Sequence, residues 1–294
     1  MRVTPTIQDR NFLEDVNRLK SRQQKSQEEV SSGKTVNRLS DNPFAAAQSS
    51  NIISAVSAND QFIAANGQLR SQLELTDYVL QSLNSSIDAA KTLAAQALSG
   101  TTTADSRQAL ATAVGGVRQQ VLSASNTQFN GTFLFAGTQT TTEPFLDSGG
   151  TVTYQGNDEP VYQRLDRSSV IKTNVTGQEL FVDSPSVFSV LDDLKAAILA
   201  NDTTAIKSRL DDLEAVSNRI NTTNAIIGNN MQLVDQIQST LRDHSQALHQ
   251  QDSNLTDANL VKSISDLNLT GQALNVALNA QARIQQLSLL DYLR

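Results

Sequence analysis

The chain of 294 residues has no cysteine and no tryptophan, 4 % aromatic side chains and a formal net charge of −7. The missing cysteines exclude a disulfide framework or thiolate metal site, the acidic balance does not suit a nucleic-acid binder, and so few aromatics point to long helices with thin cores, not a compact enzyme. No stretch approaches the roughly 18 consecutive apolar residues of a membrane span, so membrane insertion is not expected, and Met1-Arg2-Val3-Thr4-Pro5 opens without the apolar region of a secretory signal.

Residues 1–30 space Ile7, Phe12, Leu13, Val16 and Leu19 loosely at helical intervals. This face is too thin to hold a helix alone, so the segment needs a partner. Ser31-Ser32-Gly33-Lys34 reads as a helix stop with glycine just past the last turn. In Asn37-Arg38-Leu39-Ser40-Asp41-Asn42-Pro43, Asp41 or Asn42 can cap a new helix and Pro43 can start it. That helix runs to about Ser99, its best stripe being Leu69, Leu73, Thr76, Leu80, Leu83, Ile87, Ala90, Ala94 and Ala97. A break over Gly100–Thr103 follows, with Thr103 or Asp105 as cap. Leu110, Val114, Val117, Val121 and Ala124 then mark a further helix, which carries Gly115-Gly116.

At Phe129 aromatics and glycines concentrate, and residues 131–183 read as a small antiparallel β unit inserted between helices. Its strand candidates are 151–154, 161–165 and 170–175. Ser184-Pro185 should cap a short helix bearing Val187, Phe188, Leu191, Leu194 and Ile198, and Asn201-Asp202-Thr203 should end it and cap the next.

From Leu213 every seventh residue is apolar: Ile220, Ile227, Val234, Leu241, Leu248 and Leu255. A helix keeps such a line only by pairing with another helix. The companion positions Asn224, Gln238, Ser245 and Asp252 are polar, with Met231 the exception, so the seam is narrow. A polar break is expected near Asp252-Ser253-Asn254, beyond which a re-phased stripe runs through Leu260, Ile264, Leu267, Leu274, Leu278, Ile284, Leu287 and Leu290.

Nothing in the pattern assembles a catalytic, cofactor or metal site. His244 and His249 are five apart, on different helix faces. Asp192-Asp193 and Asp211-Asp212 suit helix starts, and Gly149-Gly150 lacks the context of a phosphate loop. The expected fold is mainly α: an elongated helical bundle or coiled coil with its N- and C-terminal helices paired, plus the small inserted antiparallel β domain. Residues 1–40 and 255–294 would form the terminal coiled coil, 41–130 and 184–254 the rod, and 131–183 an outward-projecting β domain. The expected subunit interface comprises Ile7, Leu13, Val16, Ile264, Leu267, Leu274, Leu278, Ile284, Leu287 and Leu290, because these stripes exceed what one partner helix covers.

The run from Ser32 to Pro43 resembles the N-terminal signature of the bacterial flagellin superfamily, through Gly33, Asn37, Ser40, Asp41 and Pro43. Leu274–Arg294, ending Asp291-Tyr292-Leu293, resembles its C-terminal helix. Phe135 and Gly137 in Phe129–Thr138, Gly156 after Tyr154-Gln155, and Gly177 with Phe181 in Asn174–Phe181 are similar to the branch that joins hook to filament. Asn42 stands where the family commonly has Asp, which preserves capping. The resemblance implies a structural, non-enzymatic subunit of the flagellum, extracellular and exported by the flagellar type III apparatus without a cleaved signal. It implies hook-associated protein 1, flagellin and copies of itself in a ring as partners, with the export apparatus and an export chaperone before assembly. The competing readings are a minor flagellin-type filament subunit and, in a different class, a secreted coiled-coil adaptor or effector. An enzyme acting through carboxylates of the β unit ranks last.

Overall fold

The computed structural model describes residues 5–99 and 103–292, with side chains over 10–99 and 103–283. Of the break expected over Gly100–Thr103, residues 100–102 lie outside the described residues, and Thr103 precedes α3 as its cap. The helices are α1 (Pro5–Ser32), α2 (Pro43–Ala97), α3 (Ala104–Ser125), α4 (Val187–Ala200), α5 (Thr203–Thr256) and α6 (Leu260–Tyr292). The chain is mainly α with small antiparallel β elements between α3 and α4. It divides into two compact units, residues 1–58 with 243–294 and residues 59–242.

In the first unit α1 packs along α6. Helix α1 stops where Gly33 turns to φ +74° and its N–H reaches Glu29 O at 2.9 Å. Pro43 opens α2, and Asn42 Oδ1 accepts the Ala45 N–H at 3.1 Å, as a cap does. The break between α5 and α6 falls at Asp257-Ala258-Asn259, a few residues beyond the expected Asp252–Asn254. The polar residues there are absorbed into the helix: Thr256 Oγ1 donates to Asp252 O at 3.0 Å and Ser253 Oγ to Asp257 Oδ2 at 2.5 Å. Asn259 Oδ1 then caps α6 by accepting the Lys262 N–H at 3.1 Å.

The second unit holds the main core. Leu73, Leu80, Leu83 and Ile87 of α2 meet Val114 and Val121 of α3, Leu191, Leu194 and Ile198 of α4, and Leu213, Ile220, Ile227 and Val234 of α5 in one buried cluster. The seven-residue seam is therefore real: it is buried through Leu241, and Leu248 and Leu255 are half-buried. Thr103 Oγ1 accepts the Ser106 N–H, and Asp202 Oδ1 accepts those of Thr204 and Ala205. Helix α4 starts after Ser186 and not at Ser184-Pro185; Ser186 makes no side-chain cap bond.

The β elements form three separate two-stranded antiparallel ladders. These are β1 (Gln128–Phe129) with β2 (Thr132–Phe133), β3 (Phe145–Ser148) with β4 (Thr151–Tyr154), and β5 (Tyr162–Arg164) with β6 (Val170–Lys172). Their registers include Phe145 opposite Tyr154 and Tyr162 opposite Lys172. The strand expected to reach residue 175 ends at Lys172. Beyond it the Asn174 side chain substitutes for a strand, accepting the Val161 N–H at 2.8 Å and donating to Glu159 O at 3.1 Å. A π-helical turn, Gln178–Val182, follows. Isolated hairpins are marginal in water. Here the ring of Phe145 lies 5.0 Å from that of Phe181, 5.0 Å from Tyr154 and 5.5 Å from Phe188 of α4. Such contacts add about 0.5–1.5 kcal/mol each beyond area burial.

Candidate assembly surface

The α1/α6 pair is thinly buried. On α1 only Val16 and Ser26 are fully covered among the described side chains, and on α6 only Ser263. Ser263 Oγ donates to Glu29 Oε2 at 2.7 Å. Leu267 and Leu274 are half-buried, whereas Leu13, Ile264 and Leu278 are exposed. The side chains of Ile7, Ile284, Leu287 and Leu290 lie outside the described residues; their backbone is helical. Val261 at 82 % exposure, Val276 at 67 % and Leu269 at 60 % add apolar surface on other faces of α6. Sequence reasoning passed over these three because they fall off the main stripe. An open cleft along the pair is lined by Phe12, Leu19, Ala277 and Ala280 among others. A helix apolar on several sides with one partner leaves its remaining faces for further helices.

The base of the pair is closed by main-chain bonds. Thr35 N–H donates to Thr256 O at 2.7 Å and Ala258 N–H to Gly33 O at 2.8 Å, an antiparallel bridge between Lys34 and Asp257. Lys34 Nζ sits 3.6 Å from Asp252. Within the turn, Asp41 Oδ2 accepts the N–H groups of Arg38 and Asn37 at 2.8 and 3.1 Å, and these bonds hold its carboxyl below the usual range. Ser40 lies exposed in the same turn.

The remaining signature residues gather around the aromatic cluster of the second unit. The Phe135 ring meets Phe181 edge-on at 5.4 Å. A Cβ on Gly177 would fall 2.5 Å from the Tyr154 ring and 2.8 Å from Phe135 O, and one on Gly156 would strike the Tyr154 ring. A Cβ on Gly137 would meet Asn157. These glycines let the loops close onto Tyr154, whose hydroxyl shares its one proton between Phe135 O at 3.0 Å and Asn157 O at 2.9 Å. Burial pushes the Tyr154 phenol up.

The sequence also hid Arg118, nearly buried among Val114, Val117 and Val121 on α3. Its NH1 is 2.6 Å from Asp147 Oδ2 and its NH2 donates to Gly150 O at 2.9 Å. Nε lies 2.9 Å from Asp192 Oδ1, an ion pair without the alignment of a hydrogen bond. A cation at a core position of a four-three stripe was the available signal. Elsewhere, His244 and His249 are exposed, and among the described residues no three His, Cys, Asp or Glu side chains group as metal ligands.

Residues 6–140 match the family described as the bacterial flagellin N-terminal helical region. The chain is 29 % identical over 290 residues to flagellar hook-associated protein 3 of Escherichia coli K12, covering 89 % of this chain and 90 % of that one. The chain is thus similar to flagellins over its N-terminal helical region and to hook-associated protein 3 over most of its length.

Solved structures agree with this fold. A Vibrio parahaemolyticus protein ascribed to the hook-associated class superposes with a TM-score of 0.70 at 21 % identity, covering 74 % of this chain and all of that one. Bacillus cereus FlgL superposes with a TM-score of 0.58 at 25 % identity, covering 69 % of this chain and 99 % of that one. The family match spans the Gly33–Pro43 turn and reaches Phe135 and Gly137. In this chain both groups have identifiable physical work: one closes the base of the terminal pair, the other packs the aromatic cluster.

Proposed function

We propose that this chain is a structural subunit of the bacterial flagellum at the junction between hook and filament. It acts by packing, without catalysis or cofactor. The likeness to hook-associated protein 3 over nine-tenths of both chains supports this place. The observation that carries the mechanism is α6, whose apolar residues emerge on faces that α1 does not cover. In this reading those faces are buried by neighbouring copies in a ring, with hook-associated protein 1 on one side of the ring and flagellin on the other. Leu13 extends the same surface along α1, and by their spacing Ile7, Ile284, Leu287 and Leu290 would continue it toward the termini. Val16, expected on this surface, is instead covered within the subunit and belongs to the pairing of α1 with α6. The insertion at 131–183 faces away from the assembly axis. The subunit reaches its place outside the cell through the flagellar export apparatus, attended by an export chaperone. Deleting the gene tests the reading: cells are expected to keep hooks, lose filaments and release flagellin into the medium. Normal filaments on the deletion strain would overturn it.

A further inference from the structure

We infer that the main-chain bridge between Lys34 and Asp257 is the register lock of the terminal helix pair, and that α1 and α6 zip together outward from it. The bridge joins the α1–α2 turn to the α5–α6 break, where both segments leave the helix and their amide groups can pair. Each side is rigidly presented. Gly33 takes the left-handed conformation, the Asp41 carboxylate ties down two amides of the turn, and Thr256 is buried beneath the bond it receives from Thr35.

The opposed positions continue in step from that point. Glu29 meets Ser263, and Gln23 Nε2 lies 3.5 Å from where a Cβ on Gly271 would stand. Leu19 and Ala273 share one cleft, and Phe12 and Ala280 the next. Each residue gained along α6 is thus matched by about one lost along α1.

The helices carry little that would choose this register themselves. Among the described side chains their covered residues are one valine and two serines, and the sequence of α1 has no sustained heptad seam of knobs and holes. Such a face can slip by a turn at small cost, whereas two main-chain bonds between fixed turns pair in one way only. Once the bridge closes, the adjacent helical turns meet without a further long loop to close, so pairing propagates from it. The lock decides which faces of α6 are covered by α1 and which remain for neighbours; that last consequence alone rests on the assembly reading.

The absence of cysteine makes the register directly readable by cross-linking. Gln23→Cys with Gly271→Cys reports the observed register, and Gln23→Cys with Asn275→Cys reports a slip of one turn. In the otherwise unchanged chain only the first pair is expected to oxidise. Ala258→Pro removes the donor to Gly33 O and leaves the Asn259 cap in place. It is expected to lower the yield of the first pair about tenfold, whether the second pair gains or neither forms. Thr35→Val keeps the main-chain bond and is expected to retain the first cross-link. An undiminished first cross-link in Ala258→Pro, or an equal loss in Thr35→Val, would overturn the lock. Hydrogen exchange of the unsubstituted chain provides a check independent of the variants' folding. The Thr35 and Ala258 amides are expected to outlast those around Val16, and the reverse order would refute zipping from the bridge. All readouts use the purified chain, so their failure is distinct from failure of the flagellar reading.

Discussion

Asn126 closes on the main chain of Phe145 from both sides, its Nδ2 donating to Phe145 O at 2.8 Å and its Oδ1 accepting the Phe145 N–H at 3.0 Å. One side-chain amide thus stands in for a neighbouring strand and fixes the β3–β4 hairpin to the end of α3. Asn126→Ala strands both backbone groups of a residue that is 1 % exposed. The expected cost is about 2–3 kcal/mol, measured as a shift of the denaturant midpoint without change of slope.

Arg118 holds the tip of the same hairpin. Arg118→Met leaves Asp147 and Asp192 near each other with no cation between them, and is expected to cost about 1–3 kcal/mol at neutral pH. The bond from Arg118, and then that from the Gly150 N–H, hold the Asp147 carboxyl below its usual range. A carboxylate depressed in the folded state contributes stability that is complete above its unfolded pKa, near 4, and is lost as pH falls through the folded value. Stability of the parent is therefore expected to decline below about pH 4, and Arg118→Met to show a smaller decline over that window. Urea titrations at several pH values compare the two.

Two glycines of the second unit predict opposite signs. Gly177 has a negative φ that any residue tolerates, but its missing Cβ makes room for Tyr154, Phe135 and Phe145. Gly177→Ala is expected to destabilise by about 1–3 kcal/mol through overpacking. Gly116 is exposed inside α3 with nothing near its Cβ position. There Gly116→Ala is expected to stabilise by about 0.5–1 kcal/mol. Thermal unfolding of both variants distinguishes steric fit from helix propensity.

Exposed apolar residues of α6 should matter to assembly and not to the free subunit. Val276→Ala with Leu278→Ala removes side chains that the subunit leaves in solvent, so the melting temperature is expected to stay within the scatter of surface substitutions. Incorporation into flagella is expected to fall severely, with flagellin shed from the cells. A clear drop in melting temperature would show that this face packs inside the subunit.

The seam through Leu213, Ile220, Ile227, Val234 and Leu241 was legible because a helix–helix contact imposes its period on side chains. The caps at Asn42, Thr103 and Asp202 were legible because short polar side chains have few other reasons to precede an apolar stripe. The bridge at Lys34 and Asp257 was not, since its bonds are made by the main chain and any sequence supplies them. The α5–α6 break was misplaced for a related reason: serine and threonine can stay in a helix by bonding back one turn, as Thr256 does to Asp252. The hairpin strap was hidden because Arg118 and Asp147 are 29 positions apart and become neighbours only in the fold.

Gold labelling of isolated flagella with antibody raised against residues 131–183 tests the central claim most directly. The account predicts a short labelled zone where hook meets filament and none elsewhere. Label along the whole filament would identify a filament subunit instead, and absence of label from purified flagella would contradict the structural role altogether.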